Sequence, residues 1–248
     1  MLEVNIKSKS FASSSGARID VLKDLEFVCA DQSFTCIVGP SGCGKTTTLR
    51  CILDLESDFS GSVNVKDETG NQKISAVFQE PRLLPWRTVE QNVRLVLKQV
   101  DDAALDTLFD VLGLSAHRNL YPTELSLGLA RRASIARAFA VNPSVLILDE
   151  PFVSLDESTA SRLRSLLLKV WRERSCTALM VTHNLNEAIE LADRILFYGG
   201  SPACIQNTYV IDTPRSARDG EVVMSIRNDI DRLLMSSAPN KKPHDASP

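Results

Sequence analysis

The sequence predicts an α/β chain, with a mostly parallel sheet carrying helices on both faces, antiparallel edge strands and an inserted helical subdomain. Three observations lead there. SFTCIV (33–38), SVLILD (144–149), CTALMVT (176–182) and RILFY (194–198) are dense apolar runs with β-branched residues, the composition of strands buried on both faces of a parallel sheet. LEVNIK (2–7) and IDVLKDLEFV (19–28) instead alternate apolar and polar residues, as half-buried strands near a sheet edge do. Helical patterns at 44–55, 89–99, 101–112, 126–141, 157–174 and 185–192 alternate with the strands at both ends of the chain, while the middle, about 80–142, is almost wholly helical.

At 248 residues the chain can bury one sizeable core, assigned here to 1–235. The last stretch, SSAPNKKPHDASP (236–248), is rich in Pro, Ser and Lys with little to bury, and is expected to be a disordered tail. A net charge of −3 and a 24% charged fraction lack the basic excess that wrapping nucleic acid requires. The six cysteines, Cys29, Cys36, Cys43, Cys51, Cys176 and Cys204, form no C-x-x-C pair and mostly sit in apolar runs, so thiols of a reducing cytosol are expected, with neither disulfide nor zinc. The opening MLEVNIKSKSF has no basic and apolar leader pattern, and no run approaches the ~18 apolar residues of a membrane span. The expectation is a chain neither secreted nor membrane-spanning.

Taken in order, the first element with chemistry is GPSGCGKTT (39–47), which fits G-x-x-x-x-G-K-[ST] between an apolar strand and a helix. Gly39, Gly42 and Gly44 let the backbone turn tightly and aim N–H groups at phosphate oxygens, and the helix N-terminus adds its positive dipole end. Pro40, Ser41, Cys43 and Thr47 complete the loop, Cys43 needing only to be small. Lys45 is placed to reach β- and γ-phosphates, and the Thr46 hydroxyl to sit on Mg²⁺. The fold expected is therefore a P-loop NTPase core. VLILDE (145–150) supplies the second anchor: a buried strand ends in Asp149, which can hold Mg²⁺, and Glu150 at its tip can polarise an attacking water.

Further polar residues follow in a fixed order. Gln79 follows ISAVF, Ser126 opens an arginine-bearing helix (ELSLGLARR, 124–132), Ser154, Leu155 and Asp156 follow Asp149 and Glu150, and His183 ends TALMVT. With these motifs the chain closely resembles the nucleotide-binding subunit of an ABC transporter over roughly residues 2–235. The resemblance implies binding and hydrolysis of ATP with Mg²⁺ by two nucleotide-binding subunits that close on it, a homodimer being preferred. It implies that Gln79 contacts Mg²⁺ or the attacking water and transmits nucleotide state into the helical subdomain, that Asp156 lies in the loop coupling the two sites, that His183 contacts the γ-phosphate and that Phe11 stacks on adenine. The family's signature usually reads L-S-G-G-Q and caps the ATP of the opposite subunit; Leu125, Ser126 and Gly128 match it, while Leu127 and Leu129 depart.

Leu127 costs on the order of 1 kcal/mol if its position needs φ > 0, and little in ordinary helical geometry; tolerance is the preferred reading. Arg131 and Arg132 are read as a solvated helix face. EPRLLPWRTVEQNV (80–93) places Pro81 and Pro85, together with Leu83, Leu84 and Trp86, these three expected to be exposed, in a stiff apolar segment that either accepts a short helix of a membrane subunit or packs Trp86 inward. LLPWRTV, together with IDTPRSARD (211–219), is similar to the importer branch serving nitrate, taurine and aliphatic sulfonates. That resemblance implies a peripheral subunit on the cytoplasmic face of the plasma membrane, a separate permease and, indirectly, a solute-binding protein. The alternatives are a soluble ATPase of the same superfamily acting on nucleic acid or ribosomes, and the degenerate half of a heterodimeric ATPase.

Overall fold

The computed structural model describes residues 1–13, 16–66 and 72–236; of the expected tail, all but Ser236 lies outside the described residues. Along the chain come β1 (Leu2–Ala12), β2 (Arg18–Cys29), β3 (Phe34–Val38), α1 (Lys45–Ile52), β4 (Ser60–Val65) and β5 (Ile74–Val77). Three helices follow, α2 (Val89–Arg94), α3 (Asp102–Val111) and α4 (Leu127–Ala140). The chain then alternates through β6 (Val145–Asp149), α5 (Glu157–Arg174), β7 (Thr177–Thr182), α6 (Leu185–Leu191), β8 (Arg194–Gly199), β9 (Cys204–Val210) and α7 (Gly220–Ser236).

The dense apolar runs form a six-stranded sheet in the order β5-β6-β7-β3-β8-β9, in which only β9 is antiparallel to its neighbour. All five residues of β6 are buried, and they divide by parity. Leu146 and Leu148 join a core with Phe139, Leu163 and Leu167, whereas Val145 and Ile147 join a second core with Leu25, Phe27 and Leu49. Both faces of the sheet are thus covered, which is why alternation vanishes from these runs. Each fully buried Leu, Ile or Val contributes about 1.5–3 kcal/mol relative to exposure. Burial also pushes the Cys29 thiol up to about 11 and Cys176 up to about 12, so both act as small hydrophobes.

The alternating segments behave differently from the plain edge strands expected. β1 runs on to Ala12 and pairs with β2 and with β4 in a separate antiparallel sheet, β2-β1-β4, which together with α1 covers one face of the main sheet. α2 is shorter than its pattern: it starts at a reciprocal Thr88/Gln91 cap and stops at Arg94, because Leu95, Val96 and Val100 find no core to bury against and remain exposed. The helical insertion α2–α4 enters after β5 and returns into β6. Among the described residues, no helix is long and apolar enough to cross a membrane.

Register positions the site. Val38 of β3 aligns with Thr182 of β7, and Asp149 of β6 aligns with Val181. The three strands therefore end level at their carboxyl edge, where open parallel sheets collect ligands.

Candidate active site

The loop leaving β3 is shaped by what cannot fit there. A Cβ on Gly39 would come within 2.8 Å of the Tyr198 carbonyl oxygen, and Gly44, which precedes the first turn of α1, has φ of 94°. A side chain at either would clash or be strained. The turn brings Lys45, 5% exposed, back over the loop, where Nζ donates to the carbonyls of Gly39 and Pro40, each at 2.8 Å. Beside it lies a cavity of about 340 Å³ lined by Ser41, Gly42, Lys45, Thr46, Gln79 and Glu150, with Gly44 and Thr47 also on its wall. Cys43 is half-buried and packs toward Gly39, as a small filler would. Sequence elements far apart in the chain, around Lys45, Gln79 and Glu150, thus meet around one polar mouth.

Asp149 ends β6 almost buried, and the Thr46 hydroxyl donates to its Oδ1 at 3.5 Å. Burial first, and the neighbouring Glu150 charge second, hold its carboxyl above the ordinary range, with Thr46 and Lys45 opposing. Glu150 follows with φ of 44°, an uncommon conformation for a side-chain-bearing residue, held by its N–H donating to the Val181 carbonyl at 2.9 Å. Its Oε2 lies 3.0 Å from Nδ1 of His183, which is 53% exposed at the end of β7. Sequence reasoning missed what fixes that histidine. The Thr182 hydroxyl donates to buried Glu187 at 2.6 Å and accepts from the Asn184 N–H at 3.0 Å, so the turn carrying His183 is pinned on both sides. Burial pushes the Glu187 carboxyl up. Asn184 and Glu187, at cap and third helical position of α6, carried a readable N-x-x-E signal.

Ser126, Gly128 and Asp156 do not line this cavity. They form a second surface, where Ser126 caps α4 by accepting from the Leu129 N–H at 3.3 Å and Asp156 caps α5 by accepting from the Thr159 N–H at 3.0 Å. Hydrogen bonds from Ser158 and Thr159 hold the Asp156 carboxyl well below the usual range. The two helix ends are neighbours, since a Cβ on Gly128 would stand 3.0 Å from Thr159 Cγ2. Close packing thus favours glycine at 128, since a side chain there would have to displace the Thr159 methyl. Leu127 is the first residue of α4, takes no positive φ and is 41% exposed. It is unstrained, and its bulk faces outward. Phe11 stands at the outer end of β1, paired with exposed Ile19 two residues from cavity-lining Val21, with Lys9 Nζ 4.5 Å from its ring centre.

Two expectations are corrected. Arg131 is not on a solvated face: it is 3% exposed and donates to the Phe78 carbonyl at 3.0 Å, because α4 packs that side against β5. Of the apolar residues in the proline segment, Pro81, Leu83 and Leu84 are half-buried, while Pro85 and Trp86 stand out, Trp86 being 70% exposed. That presentation depends on fully buried Asn92, whose amide donates to the carbonyls of Leu84, Arg87 and Thr88 and accepts from the Leu84 N–H. A groove of about 280 Å³ of mixed lining, with Leu49, Leu53, Leu55, Val77 and Phe78 beside Arg50 and Arg82, lies behind Thr46 and Asp149, which line it too.

Residues 22–153 match the ABC transporter family model. The chain belongs to the ABC transporter family. It is 39% identical over 227 residues, 88% of this chain and 90% of the other, to the aliphatic sulfonates import ATP-binding protein SsuB 1 of Pseudomonas savastanoi pv. phaseolicola. With the SsuB protein of Bacillus subtilis strain 168, also named for aliphatic sulfonate import, it shares 38% identity over 82% of this chain and 81% of the relative. An ATP-binding cassette solved as a dimer in a post-hydrolysis state with ADP and inorganic phosphate superposes with a TM-score of 0.72, at 26% identity over 86% of this chain and all of that one. This ABC subunit is accordingly an ATP-binding, ATP-hydrolysing protein with a P-loop NTPase fold.

The geometry generates two expectations. Leu127→Gly is expected to leave steady-state ATP turnover within about twofold while costing up to ~1 kcal/mol of stability in a helix; a tenfold rise in turnover would show that the leucine obstructs the site. The raised Asp149 carboxyl favours the folded chain most below the ordinary value of 3.8, and that contribution disappears as pH rises through the folded value. Asp149→Asn should therefore raise the melting temperature of the nucleotide-free protein near neutral pH, with the gain shrinking as the medium is acidified. A gain independent of pH would contradict the burial account.

Proposed function

We propose that this subunit powers import of aliphatic sulfonates by hydrolysing ATP between two copies of itself, docked on a membrane permease at the cytoplasmic face. The observation carrying the proposal is the level ending of β3, β6 and β7, which puts Lys45, Thr46 and Glu150 on one cavity, with Asp149 bonded to Thr46 and His183 beside Glu150, and leaves Ser126 and Asp156 on a separate surface. One chain thus holds a phosphate-binding half and, apart from it, the neutral Ser126-capped N-terminus of α4, whose positive end suits a γ-phosphate offered by a second subunit.

In this reading the loop N–H groups of Gly39–Thr47, the end of α1 and Lys45 hold the phosphates, and Phe11 receives the adenine. Mg²⁺ fits the donor set of Thr46 hydroxyl, Asp149 carboxylate and Gln79 amide oxygen: all are hard oxygens, and a cation would relieve the destabilised Asp149 charge. Bound there, the ion would neutralise phosphate charge. Glu150 accepts a proton from the attacking water. His183, whose Nδ1 lies 3.0 Å from that carboxylate, orients it. Rate enhancement then rests on charge stabilisation by Lys45, the loop and the partner's Ser126 helix end.

Coupling to the permease is supported by adjacency. Phe78 walls the groove while Gln79, the next residue, walls the phosphate cavity, so a short permease helix seated by the groove and Trp86 would sense nucleotide through one peptide link. A solute-binding protein would feed the permease from the other side. Action on nucleic acid is disfavoured by the net charge of −3, and the unstrained Leu127 disfavours a degenerate half-site. The test is sulfonate uptake in cells carrying the permease and this subunit. Lys45→Ala is expected to abolish uptake and reduce ATP turnover at least ~10²-fold, as loss of a charge-stabilising group does. Sulfonate uptake that proceeds with the Lys45→Ala subunit would overturn the assignment.

A further inference from the structure

β1 does not keep one face inward throughout. Leu2, Val4 and Ile6 are buried at its start, but its pairing with β4 shifts between Ile6 and Ser8, and beyond that break Lys9 is buried instead, at 2% exposure. An irregularity of this kind re-aims the side chains that follow it. Lys9 thereby carries its ammonium group in beside the segment that leaves α1. Its Nζ donates to Glu56 Oε1 at 2.9 Å and to the Asp58 carbonyl at 2.6 Å, and lies 4.5 Å from the centre of the Phe11 ring. Phe11 itself remains 39% exposed.

Burying an ammonium group is costly unless it is paired and hydrogen-bonded. Glu56 supplies the opposite charge, and its own place is fixed from the phosphate-loop helix. α1 opens at Lys45, its Arg50 stands 3.9 Å from Glu56 Oε2, and the N–H of Leu55, one residue before Glu56, returns to the Arg50 carbonyl at 2.9 Å. The path from the ring to the phosphate loop is therefore short: Phe11, Lys9, Glu56, α1. A cation over an aromatic face is attracted to it, more strongly where water is excluded, so the ring belongs to the same fastening as the carboxylate.

We infer that Lys9 is a positioning residue for the nucleobase, holding the Phe11 ring at a set place relative to the phosphate loop. The inference rests on the assignment of adenine to Phe11 under the proposed function. With the ammonium against the ring, Phe11 is kept from turning away, and a nucleotide meets a base platform and a phosphate cradle already spaced for it. Preorganisation of this kind reduces the ordering cost of binding and acts alike on bound substrate and transition state. The groups assigned to the attacking water, Glu150 and His183, belong to other strands and are left in place. Loss of Lys9 is thus felt in KM, and only by ligands that carry a base.

The test measures kcat and KM for ATP on the full chain in Lys9→Met, Phe11→Ala and the double variant, together with the inhibition constant of inorganic tripolyphosphate, which has phosphates and no base. Lys9→Met is expected to raise KM roughly fivefold to twentyfold with kcat within about twofold, the pattern of lost uniform binding. Tripolyphosphate inhibition should stay within about twofold, Lys9→Arg should recover most of the loss, and the double variant should bind ATP no more weakly than Phe11→Ala alone. An unchanged KM in Lys9→Met would overturn the inference. So would tripolyphosphate weakening in step with ATP, which would show a disturbed phosphate loop, or losses that multiply in the double variant. An unchanged KM in Phe11→Ala would instead remove the adenine assignment, and the inference with it. Should Lys9→Met fail to fold, Lys9→Gln, which keeps a hydrogen-bond donor without the charge, is judged by the same outcomes.

Discussion

The shared register of β6, β7 and β3 is the constraint on which the site depends. Parallel strands buried on both faces cannot slip without moving every side chain to the wrong core. Val145 and Ile147 pack on one side and Leu146 and Leu148 on the other, so the level of Asp149 is fixed by some of the most deeply buried residues in the chain. Glu150, His183 and Gly39 are the first residues past that level on their strands. Their proximity follows from hydrophobic packing, and the polar chemistry is then finished by short contacts: Lys45 to two loop carbonyls, Glu150 to His183, Glu187 to Thr182.

A second constraint concerns α4. Its first turn presents Ser126 outward and Gly128 inward against Thr159, while Arg131 and Arg137, further along, grip the segment after β5. The helix therefore joins the Ser126 surface to the segment that carries Gln79, a residue of the phosphate-loop cavity. Leu127 fits because only the inward glycine is constrained by close packing. The exposed position beside it has ordinary helical geometry and accepts a leucine without strain.

The parts legible in the sequence were those with strong local signals. The phosphate loop, the β6 exit and the cap residues Ser126 and Asp156 each combine a short motif with a predictable element, and the structure puts them at strand ends or helix starts. β4, β9 and α7 were not read. SGSVNV and CIQNTYV are mixed edge segments, and α7 buries only Ile226 and Ile230 among its described side chains. Arg131 was misread for a related reason: composition places arginine on the surface, and only the packing of α4 on β5 puts it inside. Buried Asn92 and Glu187 likewise depend on carbonyls and hydroxyls that sequence spacing does not bring together. Trp86 was undecided until the Asn92 hydrogen bonds fixed its loop facing outward.

The central claim is that one chain holds half of each site and ATP closes it on a second copy. The most direct measurement is the solution mass of Glu150→Gln with and without Mg-ATP, since removing the proton acceptor blocks the turnover that would reopen the pair. The account expects the 27.3 kDa species to double in mass only when nucleotide is present. A mass that stays at the monomer value under saturating Mg-ATP would contradict it.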